Sequence, residues 1–224
     1  MEYVNGKVYY HIQSKASWNK YPQWQQGSTY TIGRSKNPWF GYFDENGKNI
    51  ANPTTGKVFT ADTVAALILA HQDGQPQDPE LKAFFSYDIK NAIIYLRAAL
   101  SHYVKFARET VYEEVRVQNF PELPSRQRCT WVVPDDENTA EYMRFWWPKL
   151  NQNERRILKL ELTGKLHKTN EEFLLFATNP LDYDRQYAFK YWSGEQGADI
   201  NKIECLFEGI VKVLAIIDPV VYGI

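Results

Sequence analysis

The sequence predicts an α+β fold built on 224 residues, and three observations carry that expectation. Apolar strand-like runs stand at both ends of the chain, Val8-Tyr9-Tyr10-His11-Ile12 early and the stretch from Ile203 to Ile217 late. A long helical repeat fills the middle. The remaining strands and helices are interspersed without a regular βαβ period, and no Gly-x-Gly-x-x-Gly follows any strand, which argues against a doubly wound nucleotide-binding sheet.

The elements follow in order. A first strand is expected over residues 7–12 and a short one over 28–33. Residues 34–43 read as a loop, and 44–56, with Asn-Gly, Asn-Pro and Thr-Thr-Gly, as further surface loop. Helix signals begin over 61–71 and strengthen after Asp78-Pro79, where Asp78 suits a cap and Pro79 the first turn. Phe85, Ile89, Ala92, Ile93, Leu96, Leu100, Val104 and Ala107 then repeat at helical spacing. That helix is expected to reach about Val115, because Phe120-Pro121-Glu122-Leu123-Pro124 cannot continue it. A strand over 126–133, a polar helix over 138–150 and a strand over 156–162 ending at Gly164 come next. Short helices over 171–176 and 182–192 precede a strand pair, 203–207 and 210–217. The helical stretch 60–118 reads as an insertion in a single domain, 1–224.

Composition bounds the function. At 44% hydrophobic and 24% charged residues the chain can bury a sizeable core. Its 7 Trp, 15 Tyr and 12 Phe suit a core, and also suit flat-ring ligands. A net charge of −1 gives no global pull toward nucleic acid. Locally, Arg144, Lys149, Arg155, Arg156, Lys159, Lys165 and Lys168 make a basic stretch, whose plain reading is a solvated surface. Cys129 and Cys205 read as reduced core thiols, and no Cys/His spacing points to structural zinc. Without a signal-peptide start or a run of about 18 apolar residues, a cytoplasmic protein with no membrane partner is expected.

Glu204 enters a strongly apolar segment, where a carboxylate is costly to bury without a partner or a role. His11 lies in the strand at the far end of the chain. Cleavage of NAD at its nicotinamide bond passes through an oxocarbenium-like state. A site for it needs a carboxylate to stabilise positive charge, a polar anchor and aromatic walls. Glu204, His11 and the aromatics Tyr10, Trp39, Phe40 and Tyr42 are candidates for those parts. Each also has a plain reading: Glu204 as an ion-pair member, His11 as an edge or core histidine, the aromatics as core.

Several short motifs carry a resemblance. Tyr10-His11-Ile12, the segment Asn37-Pro38-Trp39-Phe40-Gly41-Tyr42-Phe43 and Glu204-Cys205-Leu206-Phe207 resemble, in this order, marks of the DNA-targeting ADP-ribosyltransferase toxins. The whole chain also resembles bacterial proteins placed among ADP-ribosyltransferase-like folds, through Phe120-Pro-x-x-Pro-Ser125-Arg126, Leu162-Thr163-Gly164-Lys165-x-His167 and Tyr191-Trp192-Ser193-Gly194. The resemblance implies a split central sheet, mixed or antiparallel, with flanking helices. It implies NAD as co-substrate, Glu204 and His11 as catalytic residues, and Tyr10, His11, Asn37, Trp39, Phe40, Tyr42, Ser125 and Arg126 around the cofactor. The family's middle motif has no clear counterpart, and Ser125-Arg126 stands in for it.

The same resemblance implies a macromolecular acceptor, RNA or DNA ahead of protein, with Trp192, Gly194, Arg155, Arg156 and Lys165 as contacts and a neutralising antitoxin as partner, in a toxin–antitoxin or phage-defence setting. Two other classes stay open. One is a non-catalytic module of the same fold that binds a partner or nucleotide. The other is a metal-independent nuclease using a histidine with a glutamate. On the transferase reading, His11 and Glu204 are expected to line one cleft between neighbouring strands.

Overall fold

A computed structural model of the chain describes residues 1–15, 23–45, 47–51, 55–73, 79, 89–149, 155–174 and 180–224. Its strands are β1 (Glu2–Ser14), β2 (Thr29–Ile32), β3 (Ile50–Ala51), β4 (Val58–Phe59), β5 (Thr130–Pro134), β6 (Arg155–Asn170) and β7 (Ile203–Ile217). Its helices are α1 (Pro38–Glu45), α2 (Ala61–Gln72), α3 (Ile89–Asn119), α4 (Thr139–Trp146) and α5 (Leu181–Ser193). The fold is α+β with antiparallel pairing. Among the described residues no helix is long and apolar enough to cross a membrane.

Strand β6 organises the large sheet. Along one edge it pairs with β1, from Glu2↔Leu166 to Ser14↔Arg155, and along the other with β7, from Ile157↔Ile217 to Asn170↔Ile203. Strand β5 pairs with β1 at Tyr10↔Val133 and with β7 at Trp131↔Leu206. The order β1-β6-β7-β5 therefore closes on itself, and β2 joins β7 alongside. Of the two pairings expected, mixed or antiparallel, the sheet has the antiparallel one, and instead of being split it closes into a ring. Two glycines explain the difference. Gly164 and Gly209 face each other across β6 and β7 with φ of 155° and 146°. A Cβ on Gly164 would stand 2.3 Å from the Glu208 carbonyl oxygen, and one on Gly209 2.4 Å from that of Thr163. Lacking side chains, the strands cross closely and run on where the sequence predicts an end at Gly164 and a break after Phe207.

Alternation along the strands sorts side chains between the inside and outside of the ring. Tyr9, Val132, Leu158, Leu160, Leu162, Cys205 and Phe207 fill the inside. Outside, Cys129 and Leu206 pack with Tyr112 and Val115 of α3 and with Ala188, Tyr191 and Trp192 of α5. Tyr10, Val133 and Ile157 pack with Tyr142 and Met143 of α4 and with Trp147.

Contacts divide the chain into two compact units, Met1–Gly41 with Arg108–Ile224, and Tyr42–Ala107. The ring belongs to the first. The second has a core of Phe59, Val64 and Ala92, with Leu67, Ile68, Tyr95 and Leu96 around it. The unit 42–107 begins and ends earlier than the insertion expected over 60–118.

Several local expectations need correction. The loop expected over 34–43 contains α1, started by Asn37, whose Oδ1 accepts from the Phe40 N–H at 2.8 Å, and by Pro38 in the first turn. In α3 the buried line runs through Ala92, Ala99, His102, Glu109, Tyr112 and Val115, whereas Ile93 and Leu100 are 58% and 66% exposed. The apolar repeat thus misplaces the buried stripe, because a histidine and a glutamate occupy part of it. Asp78 and Phe85 lie outside the described residues. Strand β5 starts at Thr130 rather than 126, since residues 121–128 form turns.

Gly164→Ala is expected to destabilise the chain by more than about 2 kcal/mol, because strain at positive φ adds to a clash with backbone that cannot move aside. Urea unfolding of the variant against wild type measures this.

Candidate functional site

Glu204 heads β7 and leaves the ring on its outer face, since the next residue, Cys205, fills the inside and Leu206 the outside. Its Oε2 lies 2.5 Å from Nη1 of Arg126 and also accepts from the Tyr191 hydroxyl. Arg126 turns its Nε to Oε2 of Glu109 on α3 at 2.8 Å, and Arg108 closes on Oε1 of Glu109 at 2.8 Å. Two guanidinium groups and two carboxylates thus balance in charge. Glu109 is fully buried, Arg126 is 3% exposed and Glu204 6%. Buried ions of this kind hold only when each is paired and hydrogen-bonded.

Aromatic rings enclose the guanidinium. Arg126 Cζ lies 5.1 Å from the ring centre of Tyr191, 5.5 Å from that of Trp131 and 5.9 Å from that of Trp39, within cation–π range. Burial pulls the Arg126 guanidinium down, but Glu109 and then Glu204 outweigh it and hold it well above its ordinary value. Burial pushes the Tyr191 hydroxyl far up, so it stays a proton donor to Glu204. The second oxygen of Glu204, Oε1, makes no hydrogen bond among the described residues.

The neighbouring residue repeats the pattern. The Ser125 N–H donates to Oε1 of Glu208 at 2.8 Å and its Oγ donates to Oε2 of Glu113 at 2.9 Å. Glu113 is held in turn by Arg116 at 2.7 Å. The spacing explains the double clamp: residues four apart share a face both on a helix, as Glu109 and Glu113 do, and on a strand, as Glu204 and Glu208 do. Burial raises the Glu208 carboxyl above its usual value, with the Ser125 N–H opposing.

The expected site residues divide into several groups. Arg126, Trp39 and Glu204 come together. Ser125 and Asn37 flank them, but their polar groups are spent on the protein: Asn37 Nδ2 donates to the carbonyls of Arg126 at 2.7 Å and Cys129 at 3.0 Å. Asn37 therefore pins the turn that carries Arg126 and is not free to hold a cofactor. Phe40 is core, beneath Lys36. Tyr42 falls in the unit 42–107, its hydroxyl hydrogen-bonded by Lys48 Nζ at 2.5 Å.

His11 and Glu204 do not share a cleft. His11 follows the alternation of Tyr9, pairs in register with the interior Leu158 and packs against Trp24, the rings tilted with centres 5.1 Å apart. The sheet therefore separates it from Glu204. Its Nδ1 donates to the Trp131 carbonyl at 2.8 Å, while the Trp131 ring faces Arg126 on the other side. His11 is thus placed to fix Trp131, not to anchor a ligand beside Glu204. Burial lowers its pKa to about 4. Tyr10 packs outside the ring against Tyr222 and donates to Asp135 at 3.2 Å, away from the Glu204 cluster.

The expected acceptor contacts are also corrected. Trp192 is buried, its Nε1 donating to the Tyr112 carbonyl at 2.7 Å. Gly194 ends α5 in the left-handed conformation, φ 75°, as a helix stop. Arg156 is held by Gln13 Oε1 at 2.6 Å and the Trp24 carbonyl at 2.5 Å. Lys165 reaches Glu122 at 3.3 Å on the surface. Because β6 alternates, Arg155 and Arg156 leave opposite faces, and the basic stretch forms no single surface.

Sequence reasoning did not assign Glu109, Trp131 or the Tyr191 hydroxyl to the site. Glu109 had a signal, being spaced three and four residues from Tyr112 and Glu113 on one helical face. Among the described residues no group of three or more His, Cys, Asp or Glu is arranged to hold a metal ion. A shallow depression of about 310 Å³, lined by Lys7, Val8, Tyr9, Pro134, Asp135, Asp136 and Lys168, contains none of the expected site residues.

The model of one protein family, described as a protein of unknown function (DUF2441), matches residues 9–219. No curated protein matches the sequence.

Arg126→Met should cost about 3–5 kcal/mol, because it leaves buried Glu204 without a cation and Glu109 with Arg108 alone, whereas Glu204→Gln, which keeps shape and hydrogen bonding, should cost less; denaturant unfolding separates the two. His11 and His167 both have pKa values lowered by burial from 6.5 to about 4. Unfolded imidazoles take up protons that the folded chain refuses, so stability is complete above about pH 6.5 and falls toward pH 4. Urea midpoints between pH 7.5 and about 4.5 should show that slope, and His167→Gln should flatten it.

Proposed function

From a chain that belongs to the DUF2441 family, we propose an NAD-dependent ADP-ribosyltransferase whose reacting carboxylate is Glu204. The observation that carries the reading is the state of that carboxylate. One oxygen is fixed by Arg126 and Tyr191, while the other makes no hydrogen bond among the described residues. Trp39 and Trp131 stand beside the group and offer flat apolar surface to a nicotinamide or adenine ring.

The chemistry asked of the site is limited. The bond between ribose C1′ and the nicotinamide nitrogen breaks, and nicotinamide leaves with the electron pair. A nucleophile of the acceptor forms the new bond to C1′ and gives up its proton. Glu204 stabilises the positive charge that builds on the ribose, and a carboxylate already oriented by two donors does so without reorganising. Arg126 is the positioning residue, its guanidinium engaged by Glu109 and Glu204 rather than offered to a pyrophosphate. His11 acts at one remove, through the Trp131 carbonyl. The acceptor is proposed to be RNA or DNA ahead of protein, and a neutralising antitoxin is the proposed partner, both on the sequence resemblance.

A second reading has its own support. Glu204 is only 6% exposed and its charge is matched by Arg126, as in a purely structural ion network. The chain would then be a binding module of similar fold.

Radiolabelled NAD incubated with the full chain and a bacterial lysate, then split into protein, DNA and RNA, tests the reading. Wild type should release nicotinamide and label one fraction, and Glu204→Gln should lower turnover by at least about 100-fold while melting near wild type. Folded wild type that neither releases nicotinamide nor labels any fraction would leave the binding module.

A further inference from the structure

Arg155 opens β6 opposite Ser14 of β1, two residues before Ile157 of the outer cluster around α4. It is 3% exposed, yet Nε, Nη1 and Nη2 all lack a hydrogen-bond partner. Its close contact is the ring of Trp147, whose centre lies 4.1 Å from Cζ. The other buried arginine is fully used: Arg126 has two carboxylates. Even Arg156, the adjacent residue, has an amide oxygen and a carbonyl. Among the described residues no charged group offsets the burial of Arg155, which alone pulls its pKa below the ordinary value.

A guanidinium keeps its charge at neutral pH, so it cannot escape burial by losing a proton as a lysine does. Five unused N–H donors and an unmatched charge are an uncompensated cost in a folded chain. Trp147 covers one face of the group, and the donors lie in its plane, at the edge. Two parallel N–H groups in that plane match two oxygens of a phosphate or a carboxylate.

We infer that Arg155 and Trp147 form a binding site for a small oxyanion, the guanidinium fork taking two oxygens of a phosphate or carboxylate group while Trp147 stacks against it. The site lies among the side chains packed with α4, not in the Glu204 cluster, and it does not rest on the transferase reading. It also replaces the expected role of Arg155 as one member of a surface basic face.

The test uses the full chain without NAD. Inorganic phosphate and acetate are titrated separately at constant ionic strength, followed by calorimetry and by the ¹⁵N-arginine side-chain NMR signals. Saturable one-to-one binding is expected with a shift of the Arg155 Nε–H signal. The tighter of the two anions identifies the group recognised. Arg155→Met should weaken binding by at least about 10-fold, and Arg155→Lys, which keeps the charge without the fork, by less. Absence of saturable binding of both anions to wild type overturns the inference, as does unchanged binding in Arg155→Met. Should Arg155→Met fail to fold, the wild-type Nε–H signal decides: a saturable shift supports the site, and no shift rejects it.

Discussion

The guanidinium of Arg126 is the constraint around which this structure is arranged. It is shared between Glu109 of a helix and Glu204 of a strand; Glu109 also has Arg108, whereas Glu204 has this guanidinium as its paired cation. The arrangement fixes more than charge. The turn over residues 120–129 carries Ser125 and Arg126 side by side, and each reaches one carboxylate on α3 and one on β7. A short irregular segment, rigid through its prolines, thus locks the helix to the ring. Asn37 pins the same turn from the start of α1 through the Arg126 and Cys129 carbonyls.

That constraint shapes what the site can do. A carboxylate gripped on one oxygen is pre-oriented, which favours electrostatic stabilisation of a charge that develops late. The same grip makes the cluster central to stability, because any change at Arg126 disturbs two buried acids at once. Trp131 joins the two faces of the sheet: its carbonyl accepts from His11, and its ring lies against Arg126. The two residues that the sequence paired are therefore linked through a third, rather than by sharing a cleft.

Much of the architecture was legible in the order of residues. Strand alternation in Leu158, Leu160 and Leu162, the break at the two prolines after Phe120 and the interspersed elements all point to the α+β class. Boundaries were harder. Gly164 reads as a strand end, yet it continues β6, because its close partner is another glycine more than forty positions away in β7. Asn37-Pro38 carries a full helix-start signature, but the aromatic, glycine-containing residues after it favour the reading of a loop. In α3 the apolar repeat drew attention to Ile93 and Leu100, while buried positions went to Glu109 and His102. A polar residue is a candidate for burial only once its partner is known.

For the site, the sequence by itself determined that one group was costly enough to require a partner or a role: the glutamate at the head of an apolar strand, because desolvating a charge is expensive. Tertiary structure alone decided that this partner is Arg126, buried after the proline turn, that Glu109 joins them and that His11 faces the other way. The reason is geometric. The face a strand residue takes follows from counting alternate positions, but which face is inside, and what lies across it, is set by how distant strands close into a ring.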